Sequence, residues 1–110
     1  MAEKIYKLRY LSLFEDDLSE IIDYIIYHLE NKPAANDLLL RIETAIMTRL
    51  INPESFEVFT SVKKSKQPYY RIYVKNFIIY YVVTVDEIDE SKTMEVRRIL
   101  YSKRDKRKLI

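Results

Sequence analysis

A chain of 110 residues that is 48% hydrophobic and 33% charged has the make-up of one folded domain with its own core, not of a disordered tail. It has no Cys, no Gly and no Trp, and one His at position 28, which excludes disulfide frameworks, thiolate metal sites, Cys nucleophiles, His-based metal clusters and glycine-built phosphate loops. The net charge of +2 conceals a polarised chain: residues 1–60 carry six Lys and Arg against eleven Asp and Glu, whereas residues 61–110 carry thirteen against six.

The first residues hold no apolar stretch of signal-peptide length. The longest uncharged apolar run, Phe77 to Val85, is about ten residues short of a membrane span. A cytoplasmic protein without a membrane partner is expected. Residues 3–10 alternate weakly through Ile5, Tyr6, Leu8 and Tyr10 and are expected to form an edge strand. Ser12 followed by Glu15 is a capping-box pattern and starts a helix. Phe14, Leu18, Ile21, Ile22, Ile25, Ile26 and Leu29 then recur at three- and four-residue spacing as one apolar stripe. Asn31-Lys32-Pro33 ends this helix and opens a second, with Pro33 in its first turn. Its stripe of Ala35, Leu38, Leu39, Ile42, Ala45, Ile46 and Leu50 runs to the stop at Asn52-Pro53. The short link predicts an antiparallel hairpin of helices.

After Pro53 the period changes to that of strands. Phe56 to Val62 reads as a short strand and Lys63 to Pro68 as a basic loop. Tyr70, Ile72 and Val74 alternate with Arg71, Tyr73 and Lys75, a half-buried strand with a cationic outer face, before a turn at Asn76. Phe77 to Val83 has the pattern of a central strand covered on both sides. An acidic turn from Asp86 to Lys92 precedes a last strand, Met94 to Tyr101, and residues 103–110 are polar and compatible with a short helix or tail. The expected fold is α+β, in one domain over residues 1–110: a strand, a helical hairpin, then three or four strands, the hairpin packed on one face of a small, mostly antiparallel sheet.

No metal or cofactor site is expected. His28 lies one position off the apolar stripe with no partner at ligand spacing, which fits a structural or solvent-facing role. Asp16, Asp17 and Glu20 read as a solvated early turn favoured by the helix dipole. The cations carry more information. Val96 to Ile110 holds seven of them against Asp105 alone, a pattern suited to an anionic partner or to a solvated end. Arg71, Lys75, Arg97, Arg98, Lys103 and Arg104 come from two strands and the segment that follows. On an open sheet face they would grip phosphate or stabilise a developing phosphorane, with Tyr101 as acid or base if nearby cations lower its pKa. Parity limits this arrangement: in a regular strand Arg97, Ile99 and Tyr101 share one face and Arg98 takes the other. Arg98 therefore meets Tyr101 only across a bulge, or else it is a core-edge residue paired with a carboxylate.

Three segments carry a family resemblance. Leu18-Ser19-Glu20-Ile21-Ile22-Asp23-Tyr24-Ile25 resembles the first-helix signature of the RelE/ParE superfamily of toxins from type II toxin–antitoxin modules. Tyr70 to Val82 is similar to its paired strands, and Val96 to Asp105 resembles its closing strand, in the same order over nearly the whole chain. The resemblance implies a RelE-like fold, no cofactor or metal, and a growth-inhibiting toxin neutralised by a cognate antitoxin and assembled with it. It further implies catalytic candidates Arg71, Arg98, Tyr101 and Arg104. Lys63, Lys64, Lys66, Lys75, Arg97, Lys103, Lys106, Arg107 and Lys108 are candidates for contact with target or antitoxin. Nuclease members, which cleave mRNA on the ribosome, commonly place Arg where this chain has Phe77. Its closing Tyr-x-Lys-Arg-Asp is closer to the ParE-like branch, known for poisoning DNA gyrase by binding. The expectation is a ParE-like toxin that binds an essential target; the alternatives are a ribosome-dependent mRNA endonuclease and a non-toxic binding or autoregulatory homologue.

Overall fold

The computed structural model describes residues 5–59 and 67–103. Its elements are β1 (Tyr6–Tyr10), α1 (Ser12–Asp23), a π-helical turn (Tyr24–His28), α2 (Lys32–Leu50), β2 (Val58–Phe59), β3 (Tyr69–Val74), β4 (Phe77–Val85) and β5 (Lys92–Tyr101). The strands form one sheet in the order β1-β5-β4-β3-β2. Only the β1–β5 pairing is parallel. This is the expected α+β architecture, with β1 at an edge and β4 in the middle. The expected C-terminal helix or tail lies outside the described residues.

The capping box does not form. Leu11 N–H still donates to Val96 O (3.0 Å), extending the β1–β5 ladder by one residue. Leu11, extended at φ −77°, ψ 152°, is therefore the cap, without a side-chain hydrogen bond, and Ser12 is already helical. Parallel pairing thus overrides the local preference of Ser12. The second helix starts as its sequence predicts: Asn31 Oδ1 accepts from Ala34 N–H at 3.1 Å and Pro33 sits in the first turn.

The main core lies between the helices and one face of the sheet. Phe14, Leu38, Ile42 and Ile46 meet Tyr70, Ile72, Ile79, Tyr81, Met94, Val96 and Ile99, all buried. From the same stripes, Ile21, Ile22, Ile25, Ala45 and Leu50 are partly buried against this core, while Leu29 and Leu39 are exposed. Alternate residues of β4 enter a second buried cluster on the opposite face, with Ile78, Tyr80 and Val82 beside Tyr69 and Leu100. The segment after α2 is fastened by Arg49. Its Nη1 donates to Tyr81 Oη (2.9 Å) and Arg71 O (3.1 Å), its guanidinium lies 3.5 Å from the Phe56 ring centre, and Tyr81 Oη donates to Pro53 O (2.6 Å).

A chain without glycine must still turn. Glu30, Lys75 and Glu90 take left-handed backbone conformations, with φ of 48°, 52° and 60°. Glu30 follows the π-helical turn, where Leu29 N–H reaches Tyr24 O and Asn31 N–H reaches Ile25 O. Glu90 closes a turn in which Asp86 Oδ1 accepts from Ile88 and Asp89 N–H. A Cβ in this region crowds the following carbonyl. Replacing Glu30 or Glu90 by Gly should therefore raise stability by about 0.5–1 kcal/mol each, read as a higher urea midpoint at unchanged slope.

Candidate functional site

Opposite the Tyr80–Tyr81 step the β4–β5 register slips. Tyr80 pairs with Arg98 and Tyr81 with Val96, which leaves Arg97 as an extra residue in β5. Such a bulge re-aims the side chains around it. Arg97 stays on the sheet face away from the helices. Its Nε donates to Glu95 Oε1 (2.9 Å) and its Nη1 to Tyr69 Oη (3.1 Å).

Arg98 is re-aimed to α1. Its Nε and Nη2 donate to the two carboxylate oxygens of Asp17 at 2.8 and 2.9 Å, and Ile99 N–H adds a third bond to Asp17 Oδ2 at 3.1 Å. The two side chains are only 17% and 11% exposed. Hydrogen bonds donated to the Asp17 carboxylate push the guanidinium above its ordinary pKa, against the opposing effect of burial. Asp17 is thus not part of a solvated turn, although Asp16 and Glu20 are exposed.

The other candidates are distributed as follows. Arg71, half-buried, stands directly across from Tyr80 in the β3–β4 ladder. Its guanidinium lies 4.6 Å from the Phe59 ring centre and 5.8 Å from that of Tyr73. Lys75 occupies the β3–β4 turn and pairs with Asp37 of α2 at 3.6 Å. Tyr101 is 40% exposed and packs edge-on against Phe77, ring centres 5.9 Å apart. Lys103 is exposed, and exposed His28 stacks on Tyr24. Lys63, Lys64, Lys66, Arg104, Lys106, Arg107 and Lys108 lie outside the described residues.

The structure therefore brings Arg71 and Arg97 to one aromatic face and draws Arg98 away from it. That face includes three residues that sequence reasoning passed over: Tyr69, Tyr80 and Glu95. Tyr80 is fully buried, with its ring 5.7 Å from Phe59 and 6.5 Å from Tyr69. Glu95 is buried between Arg97 and Arg9, whose Nη1 lies 3.2 Å from Oε2. The available signal was the two-residue spacing that puts Tyr69 with Arg71 and Glu95 with Arg97. Burial pushes the Tyr80 phenol up to about 12. Tyr6 also rises to about 12, by burial and by donating to Glu54 Oε1 at 2.8 Å. Neither phenol is poised to act as a base near neutrality. Among the described residues, no group of three His, Cys, Asp or Glu is placed to hold a metal ion. No helix there is long and apolar enough to cross a membrane.

Two expected outcomes follow. Asp17→Ala should destabilise the fold by about 1–3 kcal/mol in chemical denaturation, because a largely buried guanidinium loses its hydrogen-bonded carboxylate. Phenols raised in the folded state stay protonated while those of the unfolded chain ionise. Stability should therefore fall as pH rises from about 10 to 12, and Tyr80→Phe should flatten that fall in denaturation curves across this range.

Comparison with known proteins agrees with the geometry. A search of curated proteins gives no match. Residues 8–106 match the model of a family described as the ParE toxin of the type II toxin–antitoxin system, parDE. With nearly the whole chain covered and the α+β sheet in place, this protein belongs to the ParE toxin family of type II toxin–antitoxin systems.

Proposed function

We propose that this ParE-family chain arrests growth by binding an essential target, with DNA gyrase the first candidate, and that it is silenced in a complex with its cognate antitoxin. The observation that carries this reading is the engagement of Arg98 with Asp17. A guanidinium neutralised and held by a helix carboxylate is poorly placed to stabilise developing charge on a phosphoryl group. Arg97 is likewise matched by Glu95, and Phe77 stands where nuclease members commonly have Arg. What the sheet face offers is recognition: an arginine on aromatic rings, flanked by further cations in the basic half of the chain. Lys103 is exposed, and with Lys63, Lys64, Lys66, Lys106, Arg107 and Lys108 of the same basic half of the chain it is a candidate for contact with an acidic antitoxin or with target.

The ribosome-dependent endonuclease remains the second reading, because Arg71 is a cation on that face without a carboxylate partner among the described residues. Two assays with the purified protein separate the readings. The binding mechanism predicts that supercoiling by gyrase stops while translation in a cell-free extract is untouched. The converse result, with the translation block lost in Arg71→Ala and Tyr101→Phe, would establish the nuclease instead. Harmless induction in a bacterial host without antitoxin would sink both and leave a non-toxic binding homologue. A short acidic or DNA-binding reading frame abutting the gene would identify the antitoxin.

A further inference from the structure

The face away from the helices holds two arginine–tyrosine arrangements side by side, and they differ in one respect. In the first, Arg97 lies against the Tyr69 ring, 5.6 Å from its centre, donates to the Tyr69 oxygen, and directs Nε into the carboxylate of Glu95. In the second, Arg71 stands across from Tyr80 and stacks on Phe59, but no carboxylate among the described residues meets either group. The Tyr80 hydroxyl is buried and has no hydrogen-bond partner among the described residues. Leaving a buried hydroxyl unpaired costs about 1–3 kcal/mol, and an orphan of this kind calls for an explanation. Stacking occupies the flat face of the Arg71 guanidinium and leaves its in-plane N–H donors available.

We infer that Arg71 and the Tyr80 hydroxyl form a receptor for one carboxylate, supplied by an acidic side chain of a partner polypeptide. The neighbouring Arg97–Tyr69–Glu95 group is the template for the occupied state: in-plane N–H donors of the arginine meet a carboxylate beside a phenol. In the free chain the Tyr80 hydroxyl is closed to solvent; the incoming carboxylate accepts from the Arg71 guanidinium edge and, as the Phe59 ring packed on Tyr80 moves aside, from Tyr80 O–H, so the orphaned donor is satisfied only in the complex. Identifying the partner as the antitoxin rests on the function proposed above; the receptor itself does not.

The test is a titration of the full chain with sodium acetate, sodium phosphate and sodium chloride at equal ionic strength, following the Arg71 Nε–H and Tyr80 ring resonances by NMR. Acetate should give saturable shifts confined to Arg71, Tyr80 and their ring neighbours. Tyr80→Phe and Arg71→Gln should each weaken this binding by about tenfold or more, as loss of a charge-assisted hydrogen bond requires. Tyr80→Phe, which keeps the ring, should melt no lower than the parent, since it deletes an unpaired donor. Acetate shifts no different from those of chloride would overturn the inference. So would saturation by phosphate but not acetate, which would make this a phosphate point, and so would a marked loss of stability in Tyr80→Phe, which would reveal an internal partner. Growth arrest on induction is scored separately, so loss of the receptor and loss of the toxin function are distinguishable.

Discussion

The contact on which the arrangement turns is the three-bond grip of Asp17 on Arg98 and the Ile99 amide. It joins the first helix to the fifth strand across 81 residues of sequence, and it holds the point where β5 carries its extra residue. Asp17 supplies the carboxylate that meets this largely buried guanidinium from the helix side. With it, the bulge separates two adjacent arginines. Arg98 becomes part of the helix–sheet packing, and Arg97 joins Tyr69 and Glu95 on the opposite side.

That separation gives the two faces of β4 different work. Ile79, Tyr81 and Val83 are buried with the helices, and Tyr81 is tied through Arg49 to the chain beyond α2. Ile78, Tyr80 and Val82 form the floor of the other face, where arginines lie on aromatic rings. Phenols serve both sides. On the helix side Tyr81 donates to Pro53 O and Tyr6 to Glu54. On the far side Tyr69 accepts from Arg97, and Tyr80 has no partner among the described residues. The chain packs its core closely enough that an unpaired hydroxyl there stands out chemically.

Much of the fold was legible because periodicity reports burial directly. The alternation of Tyr70, Ile72 and Val74, the two helical stripes, and the uninterrupted apolar run of β4 each correspond to a real buried face. Element ends were less legible where a tertiary hydrogen bond intervened. Ser12 lost its capping role to the pairing of Leu11 with Val96, and the first helix widened into a π turn before Glu30. The candidate site was legible in residue type and not in geometry. Parity allowed either a bulge or a carboxylate partner for Arg98, and the fold uses both together. Asp17 has the local look of a solvated helix acid, and nothing near it in sequence marks it as the partner of a residue in the last strand.

The sequence by itself determined the α+β order of elements, the absence of cysteine and glycine chemistry, the polarised charge and the family, because these rest on local period, composition and ordered motifs. Only the tertiary structure decided which cations are already neutralised and which phenol lacks a partner. The reason is physical: the fate of a charge or a hydroxyl depends on what lies within hydrogen-bond distance, and here those neighbours come from strands and helices far apart in the chain. The near-neutral net charge thus resolves into specific pairs, Arg98 with Asp17 and Arg97 with Glu95, and into Arg71, which stands across the ladder from an unpaired tyrosine.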